Sequence, residues 1–233
     1  MLDFSGDIKA SQVAQLREEV TAVLSIAKPR DEVLITIDSP GGSVNGYGLA
    51  AAQLARIRDK KIPLYASIDK VAASGGYLMA CVANHIMAAP FAIIGSIGVV
   101  AQMPNFHRWL QKNNIDVELL TAGEYKRTLT LLGKNTEAGR KKFQEDLEKI
   151  HQAFRDYVIS NREGLDINKV ATGEHWLARD AIALGLVDKL QTSDDYLMQK
   201  MHSHQIFKIS MPIQSSFINK LIKPVMQLMH PWG

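Results

Sequence analysis

Val71-Ala72-Ala73-Ser74-Gly75-Gly76 is the stretch on which the reading of this chain turns. It follows an apolar run, Pro63 to Ile68, that reads as a strand, and it places a serine where a helix over Ala73 to Ala83 should begin. A second segment has the same character. Val33-Leu34-Ile35-Thr36-Ile37 is a buried, β-branched strand pattern, and Asp38-Ser39-Pro40-Gly41-Gly42 follows it as a turn. A helix over Asn45 to Arg58 comes next, with Leu49, Ala52 and Ala55 at helical spacing and Asn45 as its cap.

Outward from these segments, strand and helix keep alternating. Short strands are expected at Ile86 to Ala89, Ile97 to Val100 and Ile115 to Leu120, with a helix at Pro104 to Asn113. The longest helix spans Thr136 to Asn161, where Phe143, Leu147, Ile150, Phe154 and Val158 share one face. Helical patches follow at Ile167 to Ala171 and through Ala183, the latter ended by Gly185. The alternation argues an α/β fold.

Composition narrows the function classes. In 233 residues, 46% are hydrophobic and 22% charged, enough apolar mass for a real core. The net charge of +3 is spread without a basic stripe, so no nucleic-acid partner is expected. The single cysteine, Cys81, excludes an internal disulfide and reads as a buried thiol in an apolar helix. No cofactor or metal is implied, since no His, Cys or acidic cluster has ligand spacing. Val71 to Phe106 carries no Lys, Arg, Asp or Glu, but its glycines, Pro90, Pro104, Asn84 and His85 argue a buried α/β centre rather than a membrane span. The first residues have no charged n-region or apolar h-region and so do not read as a signal peptide.

The chemistry sits in the turns. Gly41-Gly42 reads either as a tight turn or as backbone N–H groups able to approach a ligand oxygen without a Cβ in the way. Ser74 reads either as a cap or as a nucleophile whose small flanking residues admit a substrate. A serine needs a base. None of the seven histidines has a local argument, although a Ser–His–Asp triad stays open because triads are spatial. Lys126, in Gly123-Glu124-Tyr125-Lys126 before the long helix, is the favoured base. A lysine base must be desolvated, since an ordinary lysine has a pKa of ~10.4 and burial can lower it by ~3–5. Glu124 is then expected to point away from it. Ser96, in Gly95-Ser96-Ile97-Gly98, reads either as a turn serine or as the hydroxyl that orients the lysine.

Taken together, Asp38–Gly42, Ala72–Tyr77, Gly95-Ser96-Ile97-Gly98-Val99 and Tyr125-Lys126 resemble the signal peptide peptidase SppA family of Ser–Lys proteases, from about Leu2 to Leu190. The stretches Val99–Phe106, Tyr125–Gly133 and Ala171–Trp176 resemble one branch of it. The resemblance implies a ClpP/crotonase-like fold of repeated β-β-α units with additional C-terminal helices. It assigns Ser74 as nucleophile, Lys126 as general base, Ser96 as the lysine-orienting residue and the Gly41 and Gly75 N–H groups as oxyanion hole. It further implies a peptidase domain over 1–190 with an extension over 191–233 that is open to an oligomerisation role. Substrates would be membrane-derived or signal-peptide-like peptides with small or apolar residues. The family implies a homo-oligomeric ring at the bacterial inner membrane, facing the periplasm and anchored by an N-terminal helix that this sequence does not contain. Two other readings stay open: a crotonase-like acyl-CoA lyase or hydratase, and a non-catalytic ring scaffold.

Overall fold

The computed structural model describes residues 1–28 and 30–211. The chain runs β1 (Leu2–Ser5), α1 (Val13–Ile26), β2 (Val33–Asp38), α2 (Val44–Asp59), β3 (Leu64–Ile68), β4 (Val71–Ala73), α3 (Gly75–Ala80), β5 (His85–Ala88) and β6 (Ile93–Gly95). It continues through α4 (His107–Lys112), α5 (Glu137–Asn161), α6 (Ile167–Val170), β7 (His175–Leu177), α7 (Ala178–Ala181), β8 (Lys189–Leu190) and α8 (Ser193–Lys200). This is a mixed α/β architecture built on a parallel sheet.

Five strands form that sheet in the order β1-β2-β3-β5-β8, every neighbouring pair parallel. Parallel strands covered on both faces should be apolar throughout. Val33, Leu34, Ile35 and Ile37 in β2 are all buried, and Leu64, Ala66 and Ile68 in β3 are fully so. The crossovers supply α1, which packs on α2, and α2, which packs on α3. Leu16, Val20 and Val23 of α1 and Tyr47, Ala50, Leu54 and Ile57 of α2 turn inward.

A second, smaller sheet has the order β4-β6-β7. Strands β4 and β6 are parallel with Ala73 opposite Gly95, and β7 runs antiparallel to β6. The two sheets join at one point. Ser39, just past β2, bridges to Ala72, donating its N–H to the Val71 carbonyl (2.9 Å) and accepting from the Ala73 N–H (3.0 Å). That joint carries the Gly41-Gly42 turn to the end of β4.

Several expected elements move. The helix after Gly42 starts at Val44, with Ser43 rather than Asn45 at the cap position. The Ser43 N–H is tied to the Ile8 carbonyl (2.7 Å), which keeps the chain extended there, while Asn45 Oδ1 accepts from the Gly46 N–H. The strand expected at Ile97 to Val100 lies earlier, at Ile93–Gly95, because that segment meets β4, and Gly95 at φ +103° breaks the line. Ile115 to Leu120 forms no strand, having no neighbour to pair with among the described residues. The last expected helix, through Ala183, is the short α7 ending at Ala181, and the segment before it forms β7 because Gly95 and Ile93 of β6 capture His175 to Leu177 in register.

Helix α5 matches its expected span, and the Thr136 hydroxyl caps it by accepting from the Gly139 N–H (3.0 Å). Its apolar stripe is only partly used. Val158 is buried and Phe154 packs on the core, whereas Ile150 is 36% exposed. Of the expected extension, Ser193 to Met211 folds back on the domain. The Ser193 N–H donates to Asp69 Oδ1 (2.9 Å), and the Ile209 N–H donates to the Met1 carbonyl (3.0 Å). The apolar patches at Phe217-Ile218 and Leu221-Ile222 lie outside the described residues.

Candidate active site

Ser74 stands at the junction of β4 and α3 with φ 51° and ψ −118°, a conformation that L-residues rarely adopt. Such strain persists only where the surroundings over-determine it. Here the Ser74 N–H donates to the Gly95 carbonyl (2.8 Å), and the Ser74 carbonyl accepts from the Leu78 N–H (2.9 Å). One bond holds the serine to β6 and the other commits it to α3. A half-buried serine on a sharp strand-to-helix turn is the arrangement that presents a nucleophilic Oγ to a substrate.

The Gly41 turn lies directly against it. A Cβ built on Gly41 would sit 2.7 Å from the Gly75 nitrogen, the Ala73 carbonyl oxygen and the Ser74 Cβ. With φ +89° as well, Gly41 admits no side chain on either count. The Gly41 N–H donates to Ser39 Oγ (3.1 Å), so the turn's donor without an acceptor among the described residues is Gly42. Gly75 opens α3, where a helix N–H has no partner inside the helix. The Gly41 turn and the first residue of α3 therefore both abut the serine.

Ser96 follows Gly95 as Ser74 follows Ala73, and those two residues are paired in register. Adjacent strands run about 4.8 Å apart, which makes the two serines neighbours at the ends of parallel strands. Ser96 also takes a positive φ, 52°, and its N–H is tied to the Glu174 carbonyl (2.6 Å). Trp176 braces this corner, since a Cβ on Gly95 would meet its ring at 2.8 Å.

Lys126 is placed differently. It is exposed in an irregular segment, its N–H closing a turn on the Gly123 carbonyl (3.1 Å). Among the described residues no hydrogen bond or ion pair joins its amine to either serine. Glu124 makes no ion pair with Lys126 among the described residues, and its carboxylate raises the pKa of the neighbouring Tyr125 phenol. Among the described residues no histidine hydrogen-bonds Ser74 or Ser96. His175 is registered opposite Gly95, yet it is exposed and bonds neither serine. Single-chain geometry thus brings Ser74, Ser96, Gly41 and Gly75 together and leaves Lys126 outside.

Cys81 takes no part. It is fully buried, and burial pushes its thiol up to about 12, an inert form. Two site residues escaped the sequence reading, Ser39 and Tyr47. Ser39 lies inside the turn motif itself. Tyr47, one turn into α2, carries no local sign of its contact with Gly75.

The fold and this corner define a class, and the sequence comparisons supply its name. Residues 1–54 match the Peptidase family S49 N-terminal description and residues 56–206 match Peptidase family S49, so the chain belongs to that peptidase family. It is 56% identical over 220 residues to "Probable protease SohB" of Haemophilus influenzae, a match covering 94% of this chain and 62% of the relative. It is 33% identical over 181 residues to "Serine protease SPPA, chloroplastic" of Arabidopsis thaliana (75% of this chain, 26% of the relative). It is 30% identical over 194 residues to "Protease 4" of Salmonella typhi (82% and 30%). The chain spans less than two thirds of the length of these relatives.

Proposed function

We propose that the chain carries the catalytic centre of a serine peptidase that works through a Ser–Lys dyad on a ClpP/crotonase-like fold. Ser74 Oγ attacks the scissile carbonyl and passes its proton to a neutral Lys126 amine. The tetrahedral oxyanion is held by the Gly75 N–H and a donor of the Gly41-Gly42 turn, a type of stabilisation worth on the order of 10²–10³ in rate per donor. The lysine returns the proton to the leaving amine, and an acyl-enzyme forms on Ser74. Water then enters, Lys126 takes its proton, and the acid product leaves. Ser96 holds the amine in line. The observation that carries this reading is the strained Ser74 turn pressed against Gly41 and Gly75.

Lys126 needs desolvation, and assembly supplies it. The segment around it exposes Val100 (90%), Trp109 (61%) and Leu120 (89%), a large apolar area for one chain. A homo-oligomeric ring that covers this surface would bury the lysine beside the serines. Substrates are then peptides with small or apolar residues near the cut, membrane-derived or signal-peptide-like in origin. The site of action is the periplasmic face of the inner membrane. No helix among the described residues is long and apolar enough to cross a membrane, so attachment has to come from elsewhere.

The test is cleavage of a fluorogenic peptide with small apolar residues, across pH, by wild type, Ser74→Ala and Lys126→Ala. Activity that rises towards alkaline pH and vanishes in both variants is expected. A fully active Ser74→Ala refutes the assignment. Retained activity in Lys126→Ala moves the base elsewhere, with His175 the first candidate by position.

A further inference from the structure

Tyr47 touches both halves of the proposed oxyanion hole. A Cβ on Gly75 would stand 2.3 Å from Tyr47 Cγ and 2.6 Å from Cδ2, so the Gly75 backbone rests on the tyrosine ring. The hydroxyl of the same tyrosine is 2.5 Å from Ser39 Oγ, which accepts the Gly41 N–H at 3.1 Å. Both side chains are completely buried.

The direction of this chain of hydrogen bonds follows from its far end. Tyr47 Oη donates to the Asp7 carbonyl at 2.8 Å, and a carbonyl can only accept. The phenol's one proton is thereby used. The Ser39 hydroxyl must donate to Tyr47 and is left accepting from Gly41. The order is Gly41 N–H to Ser39, Ser39 to Tyr47, and Tyr47 to the Asp7 carbonyl, each bond polarising the next. Burial raises the phenol's pKa, so it stays a donor through the alkaline range in which a lysine base works. Gly6 leaves the space for this pair, since a Cβ there would meet Ser39 Oγ and Tyr47 Oη at 2.3 Å.

We propose that Tyr47, acting through Ser39, is the positioning residue of the oxyanion hole. Its hydroxyl fixes the Gly41 peptide so that the next N–H, that of Gly42, is free for substrate, and its ring sets the height of Gly75. Neither side chain needs to reach the reacting atoms. The inference rests on the peptidase reading above.

The experiment compares hydrolysis of a peptide ester with that of its thionoester, in which sulfur replaces the carbonyl oxygen that the hole binds. Wild type should prefer the oxygen ester. Tyr47→Phe keeps the ring beneath Gly75 and removes the hydroxyl. It is expected to lower kcat for the ester about tenfold, below the 10²–10³ of a lost donor, with KM held within about twofold. The ester-to-thionoester ratio should fall with it, and Ser39→Ala should do the same. The double variant should be no worse than the stronger single, because both act through one chain. Equal proportional losses on ester and thionoester, or no loss, in a folded Tyr47→Phe or Ser39→Ala overturn the proposal and leave the peptidase reading intact. A wild type that hydrolyses neither ester, and whose Ser74 takes no label from a fluorophosphonate, overturns the peptidase reading and this inference together.

Discussion

Replacing Gly75 with alanine tests how tightly the corner is built, and Gly48→Ala supplies the opposite sign. Gly75 has no positive φ, so alanine meets no backbone penalty there, and the whole effect is contact. Its Cβ would lie 2.3, 2.6 and 2.8 Å from three atoms of Tyr47, all inside the range that real Cβ atoms avoid. Tyr47 cannot swing aside, since it is fully buried and its hydroxyl is held by Ser39 and Asp7. Overpacking typically costs about 1–3 kcal/mol, and three sub-contact distances against an immobile ring place this case at the upper end, about 2–3 kcal/mol. For a chain of this size each kcal/mol moves Tm by about 2–4 °C, so a fall of about 4–12 °C is expected. Gly48 lies within α2, and a Cβ there meets nothing within 4 Å. Alanine should add about 0.5–1 kcal/mol, raising Tm by about 1–4 °C. Urea unfolding followed by circular dichroism, with the slope checked for constancy, reads both. A Gly75→Ala protein as stable as wild type would refute the packing argument, and with it the placement of Tyr47 under the oxyanion segment.

Two further outcomes follow from the same geometry. Ser74→Gly should be more stable than Ser74→Ala by about 1 kcal/mol in thermal unfolding, both without peptidase activity, because only glycine relieves the positive φ. Equal stabilities would mean that the turn is unstrained. Asp188 contributes to acid stability. Burial opposes its ionisation, but two bonds from the Arg162 guanidinium (2.7 and 2.8 Å) and one from the Ile86 N–H (2.7 Å) outweigh it and hold the carboxyl below its usual range. A lowered folded pKa means stability that is present above about pH 4 and lost as pH falls through the folded value. Asp188→Asn should cost about 1.5–3 kcal/mol at pH 7 and flatten the acid limb of a stability–pH curve. An unchanged acid limb would refute it.

How much of this was legible along the chain depends on how local each cause is. Val33–Ile37 reads as a strand because a β-branched apolar run suits a position covered on both faces, and it is one. Helix α5 was visible from its period, and Thr136 caps it where the pattern begins. Helix α1 carries the same kind of signal in Leu16, Val20 and Val23. Ile115 to Leu120 has strand composition without a strand, because β-propensity reports fit to a neighbouring strand and none is there among the described residues. The shift from Ile97–Val100 to Ile93–Gly95 has a similar cause: the partner β4 decides the register.

The candidate site divides along the same line. Ser74, Gly41 and Gly75 were picked out by sequence alone, since a serine among small residues and a glycine pair after a strand are local patterns tied to backbone freedom. Their contact is not local. It depends on the Ser39–Ala72 bridge, which joins two sheets and sets Gly41 against the Ser74 Cβ. Tyr47 lies beyond any local reading, because its ring meets Gly75 only through the packing of α2 on α3. Sequence thus determined which residue types could do the chemistry, through backbone conformation and side-chain reactivity. Only the tertiary structure decided which of them meet, because parallel strands and crossover helices bring together residues far apart in the chain. In one chain those forces gather both serines and both glycine turns and leave Lys126 in solvent.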